Sequence, residues 1–365
     1  MAAALDLARR GLGRSWPNPA VGCVIVRDGR VAGRGWTQPG GRPHAETEAI
    51  GRAGDSARGA TAYVSFEPCA HHGETPPCAE ALIGAGLARV VVACPDPDPR
   101  VSGRGLEILK AAGVDVAENV LRDEAERLNR GFLTRLLEER PMVTLKVAAS
   151  LDGRVATAAG HSKWITGPDA RRLGHMLRAD HDAIAVGSGT VKADNPSLTC
   201  RLPGMAGRSP VRVVLSSGGG IELASHLVES ARLTPTWLIV AAAAAKKRRR
   251  GLEAAGVEVI EIEDGGNSKL DLRGALAALA GRGITRLLIE GGPRLATACL
   301  RTGVVDRVAW FTAPTILGGD ALPAVADLAV DRLDDRFDLR LLDSMKVGAD
   351  MLQVFEVVAN GKAQG

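Results

Sequence analysis

The sequence predicts an α/β protein of two domains. Three observations carry that expectation. Short runs rich in Val, Ile and Leu alternate with helical segments along the chain. A long amphipathic segment ends at Pro141, after which a new apolar run begins. The 365 residues also exceed what one core usually serves.

Met1 to Arg10 reads as a short amphipathic helix without a signal-peptide cleavage pattern. The apolar run Val21–Val26 is followed by Asp28-Gly29, a hairpin-turn pair, and resumes at Val31. Ala45–Arg52 reads as a helix and Ala62–Phe66 as a strand. Ala79–Ala85 is a helix stopped by Gly86, and Arg89–Ala93 a buried strand closed by the Pro- and Asp-rich stretch Pro95–Pro99. Leu106–Ala112 is a helix ended by Gly113, and Asp123–Glu139 is the long helix before the break. The boundary therefore falls between residues 142 and 143, giving domains 1–142 and 143–361. In the second domain the strand candidates are Val143–Ala149, Ala183–Val186, Val211–Leu215, Trp237–Val240, Val257–Ile260 and Arg286–Glu290. The halves share no internal repeat, so different tasks are expected of them.

Composition narrows the function. Apolar residues make up 45% and charged residues 24%, ordinary for a globular protein. A net charge of +4 and only 3% aromatics offer neither a basic groove nor stacking platforms, so no nucleic-acid partner is expected. The one dense basic run, Lys246 to Arg250, reads as a solvated helix face. No apolar stretch reaches the ~20 residues needed to span a bilayer, so no membrane association is expected. Six cysteines are too sparse for a disulfide scaffold, which suits a reduced, cytoplasmic protein.

The chemistry sits in His44-Ala45-Glu46 and in Pro68-Cys69 with Cys78. One histidine and two thiolates hold a zinc ion and leave its fourth position to water. A glutamate two residues from the histidine then shuttles protons to and from that water. Each cysteine follows proline, which marks a helical start whose free N–H groups favour the thiolate. A buried cysteine alone is usually a small hydrophobe, and a lone histidine a polar surface group; the joint pattern is what points to metal. His71 and His72, in the segment between the cysteines, compete as ligands; the expectation is that they line the substrate pocket instead. In the second half, Gly187-Ser188-Gly189-Thr190 lacks the third glycine of a dinucleotide fingerprint. Ile289-Glu290-Gly291-Gly292-Pro293-Arg294-Leu295 reads either as a phosphate-binding helix mouth or as a plain strand-to-helix turn.

The segment Glu67-Pro68-Cys69-Ala70-His71-His72-Gly73-Glu74-Thr75-Pro76-Pro77-Cys78 resembles the deaminase half of the RibD family of bacterial riboflavin biosynthesis proteins. Pro17-Asn18-Pro19-Ala20-Val21-Gly22 and Asp96-Pro97-Asp98-Pro99 through Gly103-Arg104-Gly105 are similar to two more of its motifs. The resemblance implies a cytidine-deaminase-like α/β/α sandwich, one zinc per chain on His44, Cys69 and Cys78, and Glu46 as the catalytic proton relay. The implied substrate is a diaminopyrimidinone carrying a ribosylamino 5-phosphate, held by Asn18 and His71. Asn18 is otherwise a turn residue between two prolines. Glu74 stands where the family has Arg or Lys, so it cannot pair with the phosphate; Arg104 or another basic residue is left to serve.

The second half resembles the same family's reductase domain through Lys146–Arg154, Ser162–Thr166, Gly189–Arg201, Glu290–Pro293 and Pro314–Gly319. This implies a dihydrofolate-reductase-like α/β fold with NADPH as hydride donor, reducing a ribosyl group to ribityl. By the match, Ala148, Trp164, Thr190, Asp194, Ser216 and the stretch Gly292, Pro293, Arg294, Leu295, Ala296, Thr297 and Ala298 border NADPH. Ser162, Arg178, Leu198, Arg201 and Glu290 border the substrate, with Arg178 and Arg201 as phosphate clamps. Asp152, in its Asp-Gly pair, reads as a turn residue. The expected assembly is a homo-oligomer, a dimer or tetramer. Two other readings stay open: a reductase whose deaminase half is impaired, and a nucleobase deaminase of another substrate class. A purely structural zinc module would want a fourth protein ligand.

Overall fold

The structure, a computed structural model, describes residues 1–72, 76–98, 102–218, 220–242, 249–263 and 270–358. Glu74, part of the basic run (Lys246 to Arg248) and the end of the expected second domain lie outside them. The chain divides into two compact units. The first comprises Met1–Arg140 with Arg282–Thr285, the second Pro141–Gly281 with Arg286–Gly365.

The first unit is built on five strands: β1 (Gly22–Arg27), β2 (Arg30–Trp36), β3 (Thr61–Val64), β4 (Arg89–Val92) and β5 (Asp115–Ala117). Their order is β2-β1-β3-β4-β5. The hairpin partners pair antiparallel, and β3, β4 and β5 run parallel. Helices α1 (Ala2–Ala8), α2 (Ala45–Ala53), α3 (Cys78–Gly84), α4 (Arg104–Ala111) and α5 (Arg122–Glu138) accompany the sheet. The core gathers Cys23, Ile25, Val64, Phe66, Leu82, Val90, Val92 and Leu109. Full burial of each large apolar side chain contributes about 1.5–3 kcal/mol. Phe66 meets Phe132 of α5 edge to face, with ring centroids 5.8 Å apart.

Two glycines of β2 seat the helix that carries the chemistry. A Cβ at Gly33 or Gly35 would lie 2.1 Å from the carbonyl oxygen of Ala49 or Ala45. Only bare backbone lets α2 rest directly on the strand. Asn129 of α5 bonds both backbone groups of Ala20, accepting its N–H at 2.9 Å and donating to its carbonyl at 3.1 Å. This fixes the end of the Pro17-Asn18-Pro19 loop.

The second unit holds a nine-stranded sheet. Its members are β6 (Met142–Ser150), β8 (Ala183–Gly187), β9 (Val211–Ser216), β10 (Thr236–Ala241), β11 (Glu258–Ile262), β12 (Arg286–Ile289), β13 (Arg307–Ala313), β15 (Leu339–Val347) and β16 (Asp350–Val357). The order is β11-β10-β9-β8-β12-β6-β13-β16-β15, parallel from β11 to β13 and antiparallel beyond. A small ladder pairs β7 (Arg154–Ala156) with β14 (Leu322–Pro323). The helices are α6 (Pro168–Ala179), α7 (Ser188–Asp194), α8 (His226–Glu229), α9 (Arg249–Ala254), α10 (Leu272–Gly281) and α11 (Pro293–Arg301). Arg249 and Arg250, the described members of the basic run, are exposed on α9.

The central parallel strands are those the apolar runs indicated. Strands β5, β7, β13, β14, β15 and β16 were not. Most of β15, from Leu339 to Lys346, is exposed, so no buried face stamps a period-2 pattern on it.

Candidate active sites

In the first unit, β2 and α2 present His44 and Glu46. His44 is the N-cap residue of α2 in extended backbone, and Glu46 lies in the first turn, buried. Cys78 opens α3 behind Pro77. Cys69 lies in an extended loop after β3 rather than at a helical start, which corrects the expectation drawn from Pro68. Its thiolate is nevertheless served by a helix end, because the Cys78 N–H at the mouth of α3 donates to Cys69 Sγ at 3.2 Å.

His44 Nδ1 stands 3.2 Å from Cys78 Sγ and 3.7 Å from Cys69 Sγ, and the three donor atoms all lie within 4.8 Å of one another. Ligands at zinc distances on neighbouring tetrahedral corners sit roughly 3.5 Å apart, so the trio fits the ion. Cys69 is pulled down to about 4, first by the Cys78 side-chain hydrogen bond and also by His44, against the cost of burial. Cys78 moves upward, since the thiol that donates keeps its proton. Burial pushes Glu46 up to about 7, although the His44 charge pulls the other way.

His71 and His72 are exposed and stand outside the trio; His72 pairs instead with Glu80 at 3.3 Å. Asn18 donates from Nδ2 to the Gly41 carbonyl at 3.1 Å, which ties the Pro-Asn-Pro loop to the segment leading into His44. Arg104, the alternative phosphate partner, is exposed as the first residue of α4. A buried carboxylate escaped the residue-by-residue reading: Glu67, two positions before Cys69, accepts backbone N–H groups from Asp96, Gly103 and Gly105. Its signal was the motif itself, a glutamate fixed ahead of Pro-Cys in the segment quoted for the resemblance.

In the second unit Ala148, Thr190, Ser216, Glu290 and Gly292 lie at or just beyond the carboxyl ends of parallel strands, the usual binding edge of such sheets. Ala148 is half-buried near the end of β6, and Ser216 is buried as the last residue of β9. Thr190 lies on α7 after β8, its hydroxyl 3.9 Å from where a Gly292 Cβ would be. Gly292 caps α11 with Pro293 at its first position, and no side chain closes that N-terminus. Its leading N–H groups suit a phosphate. Leu295 packs over Gly291. Arg294 and Asp194 are exposed and Ala298 half-buried. Ala296 is fully buried, and Thr297 accepts the Ala326 N–H on its hydroxyl at 2.8 Å.

Trp164 is exposed, with the Arg171 guanidinium 4.6 Å from its ring centroid, and Ser162 is half-buried nearby in sequence. Leu198 is buried within the β8–β9 core cluster at φ 53°, so only its backbone is presented. Arg201 is exposed. Arg178 does not offer a free fork to phosphate: Nε and Nη2 each meet a Glu290 oxygen at 2.8 Å, and Nη1 donates to the Thr199 carbonyl at 3.0 Å. Burial pushes Glu290 up, but the Arg178 charge outweighs it and holds the carboxyl down to about 2. Asp152 is more than a turn residue. It accepts the Ser150 hydroxyl at 2.5 Å and the N–H of Gly318 at 2.8 Å, binding the Leu151–Arg154 turn to the Pro314–Gly319 loop.

Both halves match known proteins. A family model described as the RibD C-terminal domain matches residues 141–353, and one described as the cytidine and deoxycytidylate deaminase zinc-binding region matches residues 1–94. The riboflavin biosynthesis protein RibD of Escherichia coli is 42% identical over 362 residues, covering 96% of each chain. That of Aquifex aeolicus is 38% identical over 356 residues, covering 98% of this chain and 97% of its own. Among solved structures, Acinetobacter baumannii RibD superposes with a TM-score of 0.87 at 38% identity, over 98% of this chain and 97% of that one. A Thermotoga maritima diaminohydroxyphosphoribosylaminopyrimidine deaminase/5-amino-6-(5-phosphoribosylamino)uracil reductase gives 0.83 at 34% identity, with the same coverage. With both halves matched over nearly their whole length, the chain belongs to the RibD family of riboflavin biosynthesis proteins.

Proposed function

We propose that the chain performs two consecutive steps of riboflavin synthesis. Its deaminase domain, residues 1–142, removes ammonia from 2,5-diamino-6-(5-phosphoribosylamino)pyrimidin-4(3H)-one. Its reductase domain, residues 143–361, then reduces the ribosyl group to ribityl. The observation that carries this reading is the convergence of His44, Cys69 and Cys78 within 4.8 Å, with buried Glu46 on the same helix turn.

When bound, Zn2+ supplies Lewis acidity and lowers the pKa of its water. Glu46 takes the proton from that water and returns it to the departing amine, so it serves as base and then as acid. Asn18 and His71 orient the pyrimidine. NADPH supplies the hydride, and the protein aligns donor and acceptor. Ala148, Trp164, Thr190, Asp194, Ser216 and the segment from Gly292 to Ala298 hold the cofactor. Ser162, Leu198, Arg201 and Glu290 hold the substrate. Arg201, exposed at the site, pairs with phosphate, while Arg178 keeps Glu290 ionised and in place.

The same reading makes the protein a cytoplasmic homo-oligomer, a dimer or tetramer. All six cysteines are free thiols, and no helix among the described residues is long and apolar enough to cross a membrane. Leu339, Leu341, Leu342 and Met345 are exposed on the edge strand β15, a surface that suits burial against another copy.

One purified sample tests the function. Metal analysis should find one zinc per chain, the diamino substrate should release ammonia without NADPH, and NADPH should be consumed only after deamination. Zinc-loaded protein that releases no ammonia would leave a reductase alone.

A further inference from the structure

Glu67 is buried and acidic, and its carboxylate gathers backbone N–H groups. Oε2 accepts the N–H groups of Asp96 at 3.0 Å and Gly103 at 3.1 Å, and Oε1 accepts that of Gly105 at 3.1 Å. Its own N–H donates to the Cys94 carbonyl at 2.9 Å. One carboxylate therefore binds the turn after β4 and the first turn of α4 to the loop that carries Cys69. The contact is closed from the other side by Gly105, where a Cβ would fall 2.1 Å from the Pro68 carbonyl oxygen.

Cys69 sits in a loop, held on one side by the start of α3: the Cys78 N–H reaches its sulfur at 3.2 Å and the Ala79 N–H its carbonyl at 3.3 Å. The other two ligands are held by helix starts, His44 as the N-cap of α2 and Cys78 as the first residue of α3. Groups behind a ligand set its position and tune the metal.

Taking His44, Cys69 and Cys78 as the zinc ligands of the function proposed above, we propose that Glu67 is a positioning residue that fixes Cys69 for the metal. Asp96, Gly103 and Gly105 thereby act on the zinc site through their backbone N–H groups. Charge and shape are both required. Three N–H donors face two carboxylate oxygens, so a glutamine amide must set its own N–H₂ against at least one of them.

Cobalt(II) substituted for zinc in the full chain reads the ligand geometry directly, through the thiolate-to-metal absorption band. Glu67→Gln should weaken metal binding about 10–100-fold in competition with a chelator. At saturating cobalt the band should also shift or lose intensity. Gly105→Ala keeps the carboxylate but drives a methyl group into the Pro68 carbonyl; it should move the band in the same way, and it decides the matter if Glu67→Gln is not recovered folded. Glu80→Gln, an exposed acidic site on α3, should match the unmodified protein. A residue that only supports the fold would lower the thermal midpoint and leave the saturated band alone. Affinity within about twofold and an unchanged band in both variants would overturn the role of Glu67 and leave the zinc trio standing. Absence of a thiolate band in the unmodified protein would overturn the trio itself, and Glu67 with it.

Discussion

Arg178 and Glu290 meet fork to fork, with Nε and Nη2 each 2.8 Å from one carboxylate oxygen, across 112 positions of sequence. Helix α6 delivers the arginine and the end of β12 the glutamate. The pair is largely buried, its side chains 15% and 11% exposed. A buried bidentate pair of this kind fixes orientation as well as charge.

Removing one partner strands the other. Glu290→Gln should destabilise the second unit by about 3 kcal/mol near neutral pH, measured by urea unfolding. The Glu290 carboxyl is held down to about 2 in the folded protein, against 4.5 for an unperturbed glutamate. A depressed carboxyl stabilises above its unfolded value, and that stability is lost as pH falls through the folded one. The gap between the two proteins should therefore narrow from about pH 4.5 and close near pH 2. A constant gap would show that charge is not what Glu290 contributes.

Glu46→Gln keeps the shape of the side chain and removes its proton traffic. Ammonia release should fall about 10²–10⁴-fold, with zinc content and NADPH consumption on the deaminated pyrimidine unchanged. A loss under tenfold would assign the proton relay to another group.

Chelation should separate the two activities. The trio lies in the first unit, and the second has its own sheet and core. Dialysis against a chelator should abolish ammonia release, restored by Zn2+, while reduction of the deaminated pyrimidine continues. Loss of both would make the metal a requirement of the reductase.

Asp152→Ala should free the Leu317 and Gly318 N–H groups and loosen the Pro314–Gly319 loop. Small displacements of positioning groups cost on the order of 10²-fold in rate, and kcat/KM for reduction should drop on that scale. Amide exchange at Gly318 should quicken in parallel; unchanged exchange would show the loop to be held by other means.

Gly41 has φ 86°, and a Cβ there would lie 2.1 Å from Asn18 Nδ2. Gly41→Ala should cost about 1–2 kcal/mol in backbone strain and displace Asn18. KM for deamination should rise while zinc is retained. An unchanged KM would remove Asn18 from pyrimidine binding.

Much of this was legible in the sequence because it is local. The apolar runs of β1, β4, β8, β9, β10 and β12, the His44-Ala45-Glu46 spacing and the proline before Cys78 all act within one turn or one strand. The ligand types alone implied zinc chemistry, and the motifs extended it to both halves of the family. The exposed strand β15 left no such trace, because its residues face solvent on both sides.

By itself, then, the sequence determined the α/β class, the zinc trio and the kinship, since residue type and short spacing carry that information. Tertiary structure decided which groups meet. It moved Cys69 off a helix start and gave it the Cys78 N–H, closed the Arg178 fork on Glu290, and turned Asp152 onto Gly318. It also bound Glu67 to three distant N–H groups. Those pairings depend on the order of strands across a sheet and on the loops that follow them, and hydrophobic periodicity encodes neither.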